Sequence, residues 1–466
     1  MGRRIRLLSL VALVVGLHLG FSACAQAAEA DIHARIREFF ATENAKRRAV
    51  LAAEIAADPG YDRAKVSQYL HAAGLWQPLP SGRRDVVVPV GLGSRREVTL
   101  RIPRGYDPDR AWPLLYLLHP SGGEGPGFLS FFDGALGSRR DDFILVAPSR
   151  YRQTGLDAPA PFTMDHTAIL RAVRTLLHVD ADRQLVMGYS LGGYATWTVA
   201  YLHAEEIAAA VPVGSCFSMP PTDDDVWRSL LPNFAEVPIL NVWGGRDDVP
   251  VFATDGRTLY TIAECNRRFI ALTAGMTLPI THFGYPDRGH GGLEVPSHLL
   301  APLLDQTRPG YPTKVDHTFR HVHQGRAYWL EAHSWEGAHW GSGLPPIDRG
   351  PGESADEAFG RAVRERLGRL EGEVAGQVLT VETAHVKDLT VWLGDGMVNW
   401  NKPVRLRVNG KNAFTGKLQP DLLVCLTQAA RTRDFDRLRW AGLRVGNKPK
   451  ATVVTAKTPF PPLTTP

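Results

Sequence analysis

Ser190 stands in Gly188-Tyr189-Ser190-Leu191-Gly192, between an apolar stretch (184–187) and a run that reads as a helix (191–205). A serine hydroxyl becomes a nucleophile when a base takes its proton. An imidazole serves best as that base when a carboxylate fixes its tautomer. Both partners follow in chain order. Asp247 ends Gly244-Gly245-Arg246-Asp247, after the apolar stretch 238–242, and His290 lies in Arg288-Gly289-His290-Gly291-Gly292, after the stretch 278–283. The steps from 190 to 247 and from 247 to 290 each suit one strand–helix unit. Gly188 and Gly192 relieve the backbone crowding of a sharp strand-to-helix turn, which lifts the serine clear of a sheet. The chemistry open to such a set is acyl transfer through a covalent serine intermediate.

Each role has a rival nearby. Asp248 adjoins Asp247 and reads as a solvated charge at a helix entry; the position three after Gly244 favours Asp247. His282 falls inside an apparent strand, as a packed side chain, and His298 opens a later helix, so His290 is the expected base. An oxyanion needs two N–H donors. Leu191, directly after the nucleophile, supplies one. The other is expected from His119-Pro120-Ser121-Gly122-Gly123, the loop after the apolar stretch 113–118. Pro120 has no N–H, so Ser121 is the candidate donor, with Gly122 in reserve.

These residues need a scaffold. Apolar strands at 113–118, 143–147, 184–187, 207–213, 238–242 and 278–283 alternate with helical stretches near 127–136, 164–178, 191–205, 257–272 and 297–305. That alternation predicts an α/β fold, a doubly wound, mostly parallel sheet covered on both faces, with the site at the carboxyl ends of its strands. A hairpin, 85–90 with 96–102, precedes it. Residues 28–80 read as an N-terminal helical segment packed on the main domain (81–310). Residues 313–460 read as a smaller, mainly-β C-terminal domain. Its runs are 327–331, 378–382, 389–393 and 404–408, the last meeting a hairpin signal at Asn409-Gly410, with a helical insert at 350–372 and a late helix near 421–431.

Residues 1–27 have the form of a secretory signal: Arg3, Arg4 and Arg6, an apolar run, then small residues before Ala27. The mature protein is expected to be secreted or periplasmic. Phe21-Ser22-Ala23-Cys24 offers a second outcome, a lipid anchor at Cys24. Removing the three leader arginines lowers the net charge from +5 to +2, which gives no basis for a nucleic-acid partner. The four cysteines show no zinc or disulfide-framework spacing; Cys216 and Cys265 are open to pairing or to burial as free thiols.

Residues 85–305 resemble an α/β-hydrolase esterase of the group holding polyhydroxybutyrate depolymerases, feruloyl esterases and dienelactone-hydrolase-like enzymes. The resemblance is carried by 179–193 around Gly188-Tyr189-Ser190-Leu191-Gly192, by Leu118-His119 with its glycine-rich turn, and by Gly244–Asp247. It implies Ser190, Asp247 and His290 as the triad, Leu191 and Ser121 as oxyanion donors, and an ester, small or polymer-borne, as substrate. No cofactor and no metal are needed. Pro120 departs from the group's usual glycine, and Trp243 from a frequent histidine. The alternatives are a serine peptidase of prolyl-oligopeptidase type and a non-catalytic binding protein on a hydrolase scaffold.

Two further features carry weaker expectations. His321-Val322-His323 would point two imidazoles to one face of a strand, yet no carboxylate or thiol cluster accompanies them, so ordinary histidines are expected there. Trp329, Trp335, Trp340, Trp392, Trp400 and Trp440 are expected as core, with a polysaccharide-binding platform as the other reading.

Overall fold

In the computed structural model, residues 29–91, 94–149, 160–217, 224–252, 258–337, 347–446, 450–455 and 458 are described. The central sheet has eight strands: β1 (Gly82–Gly91), β2 (Ser94–Ile102), β3 (Trp112–Leu118), β4 (Ile144–Pro148), β5 (Val179–Tyr189), β6 (Ala209–Val213), β7 (Ile239–Gly244) and β10 (Ile280–Tyr285). A small ribbon of β8 (Pro250–Phe252) and β9 (Thr258–Thr261) lies outside it. The order β1-β2-β4-β3-β5-β6-β7-β10 is that of the α/β-hydrolase fold, antiparallel through β1, β2 and β4 and parallel from β4 to β10. The predicted hairpin is β1 with β2; Leu92 and Gly93 at its tip lie outside the described residues.

Alternate residues of each inner strand go to opposite faces, and both faces are covered. Leu115, Leu117, Leu145, Met187, Val211 and Leu240 pack under α4 (Gly125–Leu136) and α9 (Ser297–Leu304). Leu114, Tyr116, Val146, Val186, Ala210 and Ile239 pack under α5 (Ala160–Leu176), α6 (Leu191–Leu202) and α8 (Ile262–Thr273). Two-sided burial is why these strands read as unbroken apolar runs.

The C-terminal part is a sandwich of two five-stranded sheets over one core. The first contains β11 (Lys314–Phe319), β14 (Gly368–Ala375), β15 (Val378–Ala384), β17 (Val404–Val408) and β18 (Lys411–Gly416). The second contains β12 (Arg326–Ala327), β13 (Leu330–Trp335), β16 (Val386–Gly394), β19 (Arg439–Val445) and β20 (Thr452–Val453). Asn409 and Gly410, both at positive φ, make the expected hairpin turn between β17 and β18.

Three local expectations are corrected here. The run 327–331 is not one strand: it holds the end of β12 and the start of β13, and Tyr328, at φ 53°, turns the chain between them. The insert 350–372 is helical only in α10 (Ala355–Arg364), and from Gly368 it is already β14. His321 and His323 lie on a 3-10 turn, Val322–Gln324, where their rings stack 5.5 Å apart instead of facing outward from a strand. Among the described residues no group of three metal-binding side chains occurs. Trp329, Trp392 and Trp440 are fully buried, so they are core; Trp340 lies outside the described residues.

The N-terminal helices, 29–41, α2 (Ala45–Ala56) and α3 (Val66–Ala72), pack chiefly on the C-terminal helix α11 (Leu422–Thr432) with Phe435, Leu438 and Trp440. They touch the hydrolase part through Trp76, which stacks on His178 and donates to the Arg174 carbonyl. His71 sits at the junction. His178 Nδ1 lies 2.7 Å from the Pro108 carbonyl, which only accepts, so it carries the proton there. Burial holds His178 down at about 4, so its Nε2 is bare and accepts from His71 Nδ1 at 2.8 Å. His71 Nε2 is 2.9 Å from Asp436 Oδ1, a second pure acceptor. Both nitrogens of His71 therefore donate, which makes it an imidazolium.

A buried band of charge joins the hydrolase part to the sandwich. Glu205 and Glu206, in the turn after α6, meet Arg326 of β12 and Arg439 of β19; Arg174 of α5 reaches Glu206 at 2.9 Å. Arg308 spans Asp182 of β5 at 2.8 Å and Asp434 at 2.7 Å. Glu331 is held by Arg431 and by the Trp392 indole.

Candidate active site

Ser190 stands between β5 and α6 with φ 53° and ψ −115°, a region costly for a side chain with a Cβ. The turn is enforced from all sides. A Cβ on Gly188 would lie 2.2 Å from the Gly192 carbonyl oxygen, and one on Gly192 would lie 1.8 Å from that of Leu118. The Ser190 N–H is anchored to the Val213 carbonyl at 2.8 Å. Only glycine fits at 188 and 192, which is the physical content of the motif.

The acid and base loops follow neighbouring parallel strands, β7 and β10, and pack directly on each other. Arg246 N–H donates to the Arg288 carbonyl at 2.9 Å, and Gly245 N–H to that of Tyr285 at 2.8 Å. A Cβ on Gly244 would sit 2.2 Å from the Gly289 oxygen, so this approach also requires glycine. The result brings the three residues together. His290 Nδ1 lies 2.8 Å from Asp247 Oδ2, and His290 Nε2 lies 2.9 Å from Ser190 Oγ. Asp247 has a fully buried side chain, whereas that of His290 is 28% exposed. Asp248 is exposed and His282 bonds Asn241 inside the sheet, its pKa lowered to about 4 by burial. His298 lies on α9.

The loop after β3 lies against the N-terminus of α6, as the close approach of Gly192 to Leu118 requires. Gly123 N–H closes a turn onto the Pro120 carbonyl at 3.0 Å, with Gly122 at φ 73°. That is a type II turn, with Ser121 at its second position. Leu191 is the first residue of α6, where a helix N–H has no partner within the helix and the dipole favours negative charge. Pro120, a departure from the group's pattern, thus builds the turn. Trp243, the other, is a buried wall against Gly284.

Three neighbours of the site carry no sequence signal as strong as the triad's. Tyr189 donates its hydroxyl to the His290 carbonyl and sets its ring edge-on to the imidazole at 6.0 Å. His119 Nδ1 reaches the Pro120 carbonyl at 2.7 Å, bracing the turn that holds Ser121; burial lowers its pKa, so the ring is neutral. Tyr194, one turn into α6, has its ionisation pushed up by burial and then by the Asp247 charge. An aromatic residue inside the serine motif and a histidine beside a glycine-rich loop were the only traces in the sequence. The structure joins Cys216 to Cys265 in a disulfide, behind the acid loop, and leaves Cys425 buried and free.

Strand order and the strained serine turn together define an α/β-hydrolase fold. No protein-family model matches the sequence, and no curated protein does. Solved structures resemble about half of it. A thermostable esterase is 20% identical over 48% of this chain and 63% of its own, with a TM-score of 0.37. The feruloyl esterase module from Clostridium thermocellum is 17% identical over 47% of this chain and 85% of its own, at 0.35. Porphyromonas gingivalis dipeptidyl peptidase 4 is 16% identical over 48% of this chain and 36% of its own, at 0.37.

Proposed function

We propose that the protein is a serine hydrolase that cleaves carboxylic esters through an acyl-enzyme. The observation that carries this reading is the unbroken line from Asp247 Oδ2 through His290 to Ser190 Oγ, at 2.8 and 2.9 Å. Asp247 accepts the Nδ1 proton of His290, which leaves the Nε2 lone pair facing the serine. Ser190 Oγ attacks the ester carbonyl carbon as its proton passes to Nε2. The carbonyl oxygen becomes an oxyanion, met by the N–H groups of Leu191 and Ser121. When the bond to the alcohol oxygen breaks, His290 returns the proton to that oxygen, and the alcohol leaves. Water then gives a proton to Nε2, attacks the acyl-serine, and releases the acid, with Ser190 regaining its hydrogen.

The twin five-stranded sandwich is not the propeller that gates a prolyl-oligopeptidase, which favours the ester over the peptide reading. Export from the cytoplasm is part of the proposal; the Cys216–Cys265 disulfide supports it, because such bonds persist in oxidising compartments. Turnover of p-nitrophenyl acetate by the mature chain, beside an alanine p-nitroanilide, tests the reading. It predicts ester cleavage that Ser190→Ala abolishes; equal rates in parent and variant would overturn it.

A further inference from the structure

Resting on the serine-hydrolase reading, we infer that the enzyme selects esters by a bulky apolar, preferably aromatic, alcohol portion, seated in a cavity on the far side of Tyr189 from the triad. The cavity measures about 700 Å³, within the range that holds small ligands. Phe131 and Phe132 of α4 and Leu293, Val295 and Pro296 of the following loop line it with Tyr189. Phe131 is 52% exposed, unusual for a phenylalanine, yet its place is fixed. It stacks on Phe128 at 5.5 Å and meets Phe132 and Tyr189 edge-on at 5.2 and 5.6 Å. The open face of a ring held this way suits a second ring better than water does.

Continuity with the site sets which half of the ester goes there. The lining loop begins at Gly292, two residues after His290, and Tyr189 grips the His290 carbonyl while its ring spans the gap between the imidazole and Phe131. Ser190, His290, Leu191 and Ser121 do not line the cavity themselves; it meets the site through Tyr189, next to the nucleophile, and through the loop from Gly292, next to the base. The oxygen that must receive the proton from His290 Nε2 is the alcohol oxygen, so the group it carries extends along the histidine side, past Tyr189, into the cavity.

The test compares ethyl acetate with benzyl acetate, which enlarges the alcohol, and with ethyl phenylacetate, which enlarges the acyl group, by titrating released acid. Burying one ring predicts a kcat/KM for benzyl acetate at least about tenfold above ethyl acetate, with ethyl phenylacetate within about threefold of it. Two substitutions sharpen the result. Phe131→Ala removes the exposed ring, and Gly134→Leu fills the cavity from a helical glycine whose added Cβ would meet nothing within 4 Å. Both are expected to bring the benzyl-to-ethyl ratio towards one. A ratio near one in the parent, a steeper response to the acyl group, or a ratio unmoved by both variants would overturn the inference. If ethyl acetate is still cleaved and Ser190→Ala abolishes that cleavage, only the subsite fails; if the parent cleaves no ester, the hydrolase reading falls with it.

Discussion

The catalytic edge and the charged band beneath it are built from similar parts and put them to opposite use. At the edge, the buried carboxylate of Asp247 holds a histidine whose other nitrogen faces the open cleft. In the band, Glu206 is equally buried, but its partners Arg174 and Arg326 are enclosed too. Burial raises the energy of a lone carboxylate, and the guanidiniums around Glu206 outweigh it, holding that group below the usual carboxylate range. A buried acid whose partner keeps one end in the cleft leaves that partner free to take a proton there and return it. One whose partners are closed in at both ends can only hold chain segments together. Access, not residue type, separates chemistry from architecture.

The comparison is broken most severely at its reactive end. Ser190→Ala is expected to lower kcat for p-nitrophenyl acetate by about 10⁶-fold with the fold intact. Asp247→Asn is expected to cost about 10⁴-fold, by favouring the wrong tautomer of His290, while Asp248→Asn leaves kcat within about twofold; equal losses at the two positions would place the acid wrongly.

The band should respond in stability instead. Glu206→Ala strands Arg174, while Arg326 keeps Glu205, and a broken buried pair costs about 3–5 kcal/mol, read as a lower urea midpoint with kcat of the folded enzyme kept. Deleting 313–466 should likewise yield no soluble hydrolase, since Glu205 and Glu206 would lose Arg326 and Arg439. Ser121→Pro is a subtler change at the edge. Proline suits the second position of a type II turn, so the loop stays while an N–H is lost, and kcat should fall about 10²–10³-fold. No change would move the second donor to Gly122.

The smallest effect falls at His71, where a third acid–base contact, to Asp436, lies at the partly exposed junction with the N-terminal helices. Burial disfavours its charge, but the hydrogen bond to Asp436 and its charge, with Asp180 and Asp434 beyond, hold its pKa above the usual value of 6.5. The stability it adds is therefore complete below about pH 6.5 and is lost as pH rises through the folded value. Burial of His178, with its depressed pKa, works the other way as pH falls from 6.5 towards 4, so total stability is a poor readout. The gap in unfolding midpoint between the parent and His71→Gln should be widest below pH 6.5 and narrow above it; a gap independent of pH would mean that His71 is neutral.

The site was more legible than its surroundings because its signals are local. The serine turn, the glycines at 244 and 245 and the strand preceding each catalytic loop are written in short stretches whose backbone geometry excludes other residues. The run 327–331 misled because buried apolar residues suit a strand and a covered turn alike, and Tyr328 accepts positive φ without a glycine to announce it. The stretch 350–372 misled at its end, where a helix gives way to β14 within four residues and polar composition masks the change of period. The pairing of Cys216 with Cys265 depends on the segment after β6 meeting helix α8 across 49 residues, about which spacing alone is silent.

By itself the sequence determined the alternation of strand and helix, the order of nucleophile, acid and base, and the glycines without which those loops could not close. Hydrophobic period and backbone sterics act over a few residues, so they can be read from a few residues. Tertiary structure alone decided that Tyr189 and Phe131 wall a cavity beside His290, that the N-terminal helices pack chiefly on α11, and that the sandwich is locked to the hydrolase part by buried charge. Those outcomes turn on which side chains lose water together. That is a property of contacts between distant segments, and no single segment carries it.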